Sequence, residues 1–199
     1  MLKIENLKKS YKNYIVFEHL NLTINDGDLI YIHGINGSGK STLFKIICGI
    51  IEADEGKVIK DDDTYIGALI ENPGFIENET IRFNLKFLAS LKNNYNEERI
   101  IELCQKFHLD YKNKNKLKEY SLGMRQKVGI IQAIMENQNV ILLDEPTRGL
   151  DDEAIKTFCE IIKALNQEGK TIIIAAHDYL TQLPFNKHYH LKNGLLKEE

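Results

Sequence analysis

At 199 residues and 43% hydrophobic content, the chain can bury a substantial core as one domain with at most an inserted subdomain. A formal net charge of −3 exerts no global pull toward nucleic acid or anionic lipid, so no nucleic-acid partner is expected. Three scattered cysteines, Cys48, Cys104 and Cys159, lack zinc spacing and a disulfide framework, which fits reduced core residues of a cytosolic protein.

The N-terminal stretch Met1-Leu2-Lys3-Ile4-Glu5-Asn6-Leu7 alternates like a strand and lacks the apolar centre of a signal peptide. No apolar run approaches the ~18 residues that span a bilayer, so a membrane role must come through a partner. Alternation at 2–9 and 20–25, broken at Asn25-Asp26-Gly27, predicts antiparallel strands.

The apolar run Leu29-Ile30-Tyr31-Ile32 then leads into Gly34-Ile35-Asn36-Gly37-Ser38-Gly39-Lys40-Ser41-Thr42, with the apolar stretch Leu43-Phe44-Lys45-Ile46-Ile47-Cys48 behind it. A G-x-x-x-x-G-K-[ST] loop between a strand and a helix is a phosphate-binding loop in its expected context. Its glycines let successive N–H groups point inward at phosphate oxygens, and the helix over 40–50 adds the positive end of its dipole. Lys40 reaches the β- and γ-phosphates and the Ser41 hydroxyl can ligate Mg²⁺. The chain is thus expected to bind a nucleoside triphosphate.

Further strands are expected at 56–59 and 64–70, the second ending sharply at Glu71-Asn72-Pro73-Gly74. Between 80 and 137 the texture turns helical: Thr80 caps a helix through Leu91, Asn96 one through His108, and Ser121 one through about Glu136. Strand texture returns at Val140-Ile141-Leu142-Leu143, followed by Asp144-Glu145-Pro146. A buried parallel strand with carboxylates at its C-terminal end is where an open α/β sheet places ligand chemistry. Asp144 suits Mg²⁺, and Glu145 suits the polarisation of an attacking water.

A helix is expected from about Asp151, whose Asp152 and Glu153 suit its N-terminus. A strand at 171–176, a short helix and a hairpin at Asn193-Gly194 complete the chain. The expected fold is α/β: a P-loop NTPase core with a mainly parallel sheet, an N-terminal antiparallel β-subdomain and an inserted α-helical subdomain. Residues 1–79 and 138–199 form the core and 80–137 the insert.

Ser121-Leu122-Gly123-Met124-Arg125-Gln126 precedes the apolar helix residues Val128-Gly129-Ile130-Ile131. Taken alone this is either an ordinary capped helix start or a second anion site. The order of features resembles the ATP-binding cassette (ABC) ATPase family along essentially the whole chain. Tyr11 precedes the loop at 34–42. The strand end at Glu71, the signature-like segment 121–126 and the Leu143-Asp144-Glu145 strand end follow. Arg148-Gly149-Leu150-Asp151 looks like the family's D-loop, and His177 after Ile172-Ile173-Ile174-Ala175-Ala176 like its switch histidine.

The resemblance implies two cassettes, in a homodimer or a heterodimer, sandwiching two ATP molecules with Mg²⁺. Lys40 and Glu145 of one cassette would face Ser121, Gly123 and the Asp151 segment of the other. It also implies a separate transmembrane permease, which would hold the chain on the cytoplasmic face of the membrane. Tyr11 would stack on adenine, although a lone Tyr in such a turn is as often structural. His177 would contact the γ-phosphate, and Glu71 would contact Mg²⁺ where the family more usually has glutamine. Tyr120, Leu122 and Met124 depart from the usual Leu-Ser-Gly-Gly-Gln. Ile66-Gly67-Ala68-Leu69-Ile70-Glu71-Asn72-Pro73 and Tyr120-Ser121-Leu122-Gly123-Met124 look like the cassettes of bacitracin- and lantibiotic-type exporters.

A soluble non-transport ABC ATPase and a cassette that senses ATP without hydrolysing it are the alternatives. The lysine-rich run 112–118 reads as a solvated loop. His188 and His190 share a strand face and could bind a metal weakly, but with no further ligand in view they read as structural or surface residues, while His19, His33 and His108 give no signal.

Overall fold

The computed structural model describes residues 1–12, 14–72, 74–92, 94–177 and 179–199; Pro73, named above as part of a strand end, lies outside the described residues. Strands β1 (Leu2–Tyr11), β2 (Tyr14–Ile24) and β4 (Glu55–Lys60) form an antiparallel sheet in the order β2-β1-β4. A second sheet has the order β5-β6-β7-β3-β8-β9, from β5 (Ile66–Leu69), β6 (Val140–Asp144), β7 (Thr171–Ala175), β3 (Leu29–His33), β8 (Lys187–Lys192) and β9 (Leu195–Glu198). Its neighbours pair in parallel except β8 with β9, whose antiparallel hairpin turns through Asn193 and Gly194 at φ 50° and 76°. Two consecutive left-handed residues match the twist of the strands they join.

The three central strands read as continuous apolar runs because both faces are covered. Leu29, Tyr31, Ile141, Leu143, Ile172 and Ile174 face one core. Their neighbours Ile30, Ile32, Val140, Leu142, Ile173 and Ala175 face the other. The second core also takes Leu43, Phe44 and Ile47 of α1 (Lys40–Ile47) and the inner face of the antiparallel sheet. The phosphate-loop helix is thus clamped between two sheets.

Helices α2 (Ile81–Ser90), α3 (Glu97–Lys106) and α4 (Leu122–Ile134) start at the expected caps. Thr80 accepts a bond from Phe83 N–H, Asn96 from Arg99 N–H and Ser121 from Met124 N–H. Their apolar faces share one continuous core with the parallel sheet. Helix α4 packs on both β5 and β6, so it belongs to the α/β layers as much as to the insert. Residues 112–118 form a loop followed by a single 3₁₀ turn at Leu117–Glu119, with only Leu117 of that run buried.

Two expectations fail. No helix follows β7 among the described residues, which show turns at 181–183 before β8. Pro184 removes a donor and restricts the residue before it, so a helix has no room to propagate there. The phosphate-loop helix ends at Ile47 and not 50, since Gly49 adopts φ 72° and terminates it. The cysteines are free thiols; burial pushes Cys48 up to about 11 and Cys104 up to about 12.

Candidate functional site

Strand β3 delivers the chain to Gly34, and Gly37 and Gly39 take φ 81° and 107° to curl the loop into α1. Gly39 occupies the N-cap of α1 and offers no side-chain cap, which leaves the first helical N–H groups to an outside acceptor. Ile35, Asn36 and Gly37 are exposed on the loop, whereas Ser38 is buried with an unpartnered Oγ. Lys40 is 6% exposed; its Nζ donates to Gly34 O at 2.8 Å and sits 3.6 Å from Glu145 Oε1. Thr42 lies half-buried in the first turn of α1. Tyr14, which sequence reasoning passed over, donates its hydroxyl to Gly37 O at 3.2 Å.

Strand β6 brings two carboxylates to this loop. Asp144 is buried and accepts a short hydrogen bond from the Ser41 hydroxyl, while its Oδ1 has no partner. Burial pushes the Asp144 carboxyl above its ordinary value, and the Ser41 bond works against that rise. Glu145 follows with φ 47°, a left-handed conformation that a non-glycine residue holds only when its surroundings impose it. Three bonds do so. Its N–H donates to Ala175 O at 2.7 Å, its Oε2 accepts from His177 N–H at 3.2 Å, and its own carbonyl accepts from Gln126 Nε2 at 2.9 Å. Glu145 Oε1 has no hydrogen-bond partner.

These groups open onto a cleft of roughly 260 Å³ lined by Ser41, Glu71, Gln126, Asp144, Glu145 and Arg148. Buried oxygens without hydrogen-bond partners at Ser38, Asp144 and Glu145 beside an ammonium and open N–H groups fit a phosphate with a hard divalent cation. Glu71, φ 54°, is exposed, and its carboxylate pairs with Lys45 Nζ at 2.7 Å. His177 is exposed and contributes its backbone N–H to Glu145.

The remaining candidates lie apart from Lys40. Ser121 caps α4 at 3.3 Å. A Cβ on Gly123 would sit 2.5 Å from Gly149 O, so within this chain that glycine admits the 148–151 loop. Asp151 caps α5 (Asp152–Gln167) by accepting from Ala154 N–H at 2.8 Å, and lies 3.9 Å from Lys127 Nζ. No hydrogen bond or ion pair joins Ser121, Gly123 or Asp151 to Lys40 among the described residues. Tyr11 is half-exposed at the end of β1, paired across the strands with Tyr14 and with Lys9 Nζ 5.3 Å from its ring centre.

Gln126 and Arg125 are the residues that sequence reasoning underused. Gln126, 5% exposed, donates to Pro146 O at 3.0 Å as well as to Glu145 O. Its signal was a polar residue on the buried side of an apolar helix. Arg125 makes a two-pronged pair with Glu77, in the segment after Glu71, and donates to Leu117 O at 3.1 Å. That guanidinium holds the Glu77 carboxyl below its ordinary value.

The family model described as ABC transporter matches residues 17–148. The lantibiotic transport ATP-binding protein SrtF of Streptococcus pyogenes is 36% identical over 184 residues, covering 89% of this chain and 80% of that protein. The bacitracin transport ATP-binding protein BcrA of Bacillus licheniformis is 31% identical over 188 residues, covering 89% of this chain and 61% of that protein. The dimeric structure of MJ0796, a bacterial ABC transporter cassette, superposes with a TM-score of 0.89 at 29% identity, covering all of this chain and 98% of its own. A dimeric post-hydrolysis state of MJ0796 bound to ADP and Pi gives the same TM-score at 28% identity. With the phosphate loop, the carboxylate pair and the fold in agreement, the chain belongs to the ABC transporter family and is one of its ATP-binding subunits, an ATPase.

Proposed function

We propose that this subunit works as a dimer that binds two ATP between its halves and drives a separate membrane permease, in an exporter. The observation that carries the reading is the meeting of Lys40, Ser41, Asp144 and Glu145 at one cleft with buried oxygens left unpartnered. Lys40 and the N–H groups of residues 37–42 bind the β- and γ-phosphates. Ser41 and Asp144, with Glu71 at the edge, would hold Mg²⁺, which neutralises phosphate charge when bound. Glu145 accepts the proton of the attacking water, and His177 holds that water or the γ-phosphate. Tyr11 provides the adenine platform.

Among the described residues of one chain Ser121, Gly123 and Asp151 have no hydrogen bond or ion pair to Lys40, and we infer that they serve the partner's nucleotide. The dimeric MJ0796 structures support a dimer of cassettes. Permease docking is supported by the outer face of α2, where the Phe83 and Phe87 rings stack at 6.2 Å and, with Leu91 and Ile76, remain exposed. A cleft of about 240 Å³ between Ile50, Leu69, Phe75 and Leu88 opens beside the same segment. The names of the lantibiotic and bacitracin relatives support transport, and export is the direction we infer for it.

Replacing Glu145 with Gln tests the reading. ATP binding should persist while hydrolysis slows by about 10²-fold or more, and ATP-bound dimers should accumulate on size exclusion. Ser121→Arg should spare binding by the monomer and block that dimer. Wild-type turnover in Glu145→Gln would remove Glu145 as the base, and a Ser121→Arg defect confined to monomer affinity would sink the sandwich.

A further inference from the structure

Strands β3 and β8 pair in parallel with Tyr31 opposite His188 and His33 opposite His190. Alternation puts all four side chains on one sheet face. The two imidazoles His33 and His190 stack with ring centres 4.3 Å apart and planes 14° from parallel. Glu199 donates its N–H to His188 O at 3.0 Å and turns its carboxylate over the pair. Its Oε2 lies 2.9 Å from His33 Nε2 and its Oε1 3.6 Å from His190 Nδ1. One ligand atom from each residue falls within 4.8 Å of the others.

We propose that His33, His190 and Glu199 form a binding site for a divalent first-row transition metal. Two imidazole nitrogens and one carboxylate oxygen suit Zn²⁺ and its neighbours, and disfavour the all-oxygen preference of Mg²⁺ and Ca²⁺. A single cation answers two ring nitrogens and one carboxylate oxygen at once. Both histidines are about a third exposed, so the rings can turn their lone pairs onto a shared ion and water can complete the coordination. Lys197 lies opposite His190 in the β8–β9 pair, a position where substitution would add a fourth ligand on the same face.

The site stands at the root of the phosphate loop. His33 precedes Gly34, whose carbonyl holds Lys40 Nζ. Leu191, next to His190, presses its carbonyl against Gly34, where a Cβ would come within 2.4 Å. A metal here pins β3 to β8 where the loop begins.

Full-length protein stripped with chelator is titrated with Zn²⁺ against a chromophoric chelator, with Co²⁺ absorption as a second readout. One ion per chain is expected. His33→Ala, His190→Ala and Glu199→Gln should each weaken it by about 10-fold or more, His108→Ala should leave it unchanged, and Lys197→Glu should tighten it. Saturating Zn²⁺ should raise the Tm of wild type and not of His33→Ala/His190→Ala. Circular dichroism with chelator present confirms that each variant is folded, and His33→Gln and His190→Gln replace any alanine variant that is not. Absence of stoichiometric binding by wild type, or binding that survives loss of both histidines, overturns the proposal.

Discussion

Replacing Gln126 with methionine removes two hydrogen bonds from the segment that carries Glu145 while keeping nearly the same volume. The amide of Gln126 reaches Glu145 O and Pro146 O from a position 5% exposed, so neither carbonyl gains water in exchange. Two net bonds at about 1 kcal/mol each, plus part of the cost of leaving buried carbonyls unpaired, give roughly 2–4 kcal/mol. For a chain of this size each kcal/mol lowers Tm by about 2–4 °C, so a fall of about 4–16 °C is expected. Glu145 holds φ 47° against a strain of about 1–3 kcal/mol, and Gln126 is one of the groups that impose it. Loss of the amide should let the carboxylate drift and lower kcat by about 10- to 100-fold, with ATP affinity unchanged. Differential scanning calorimetry and steady-state phosphate release measure both. Gln126→Glu should be worse, since a carboxylate would face two carbonyl oxygens. If Gln126→Met melts and turns over like wild type, these bonds do not position Glu145.

Asp54 accepts bonds from Lys9 Nζ at 2.9 Å, Ser10 Oγ at 2.7 Å and Ser10 N–H at 2.6 Å, and Lys9 above all lowers its carboxyl to about 2. A depressed carboxylate contributes stability above its unfolded value of 3.8 and loses it as pH falls through about 2. Asp54→Asn should therefore be less stable than wild type in urea at pH 6, with the gap closing between about pH 4 and 2; a gap independent of pH would refute the assignment. Glu71→Ala removes an exposed pair with Lys45, so stability should change by no more than about 1 kcal/mol and basal ATPase should largely persist. Stimulation of that ATPase by the permease in a reconstituted complex should fall sharply, and unchanged stimulation would show that the carboxylate has no part in coupling.

The elements closest to the chemistry were the ones most legible in the sequence, because local chemistry specifies them. Glycines that need φ 81° and 107°, an apolar strand before them and a lysine after them define the phosphate loop without any tertiary information. The caps Thr80, Asn96, Ser121 and Asp151 were visible for the same reason, since each side chain bonds to an N–H three residues on. What stayed hidden depends on partners distant in sequence. Glu71 lines the cleft at the strand end, but nothing local revealed Lys45 beside it. His33 and His190 are 157 positions apart and meet only because β8 adds to β3 in one particular register. The short helix expected after β7 gives way to turns and Pro184.

The least legible contacts are also the ones that tie the cleft to the rest of the molecule. Helix α4 runs from its cap Ser121, proposed above to serve a partner's nucleotide, and within six residues presents Arg125 to Glu77 and Gln126 to Glu145 and Pro146. Glu77 belongs to the segment between the strand end at Glu71 and the exposed aromatic face of α2. A shift of α4 cannot leave either end still. Pulling on Glu77 drags Arg125 and, one residue along a rigid helix, the amide that braces the left-handed Glu145. Nucleotide held at Ser121 by the other half would push on the same helix from its N-terminus. Weakening the Arg125–Glu77 pair should therefore separate the two activities: basal hydrolysis, which draws on Gln126 and not on this pair, should survive Glu77→Gln better than permease-stimulated hydrolysis does. Equal losses in both would place the link between cleft and permease elsewhere than on α4.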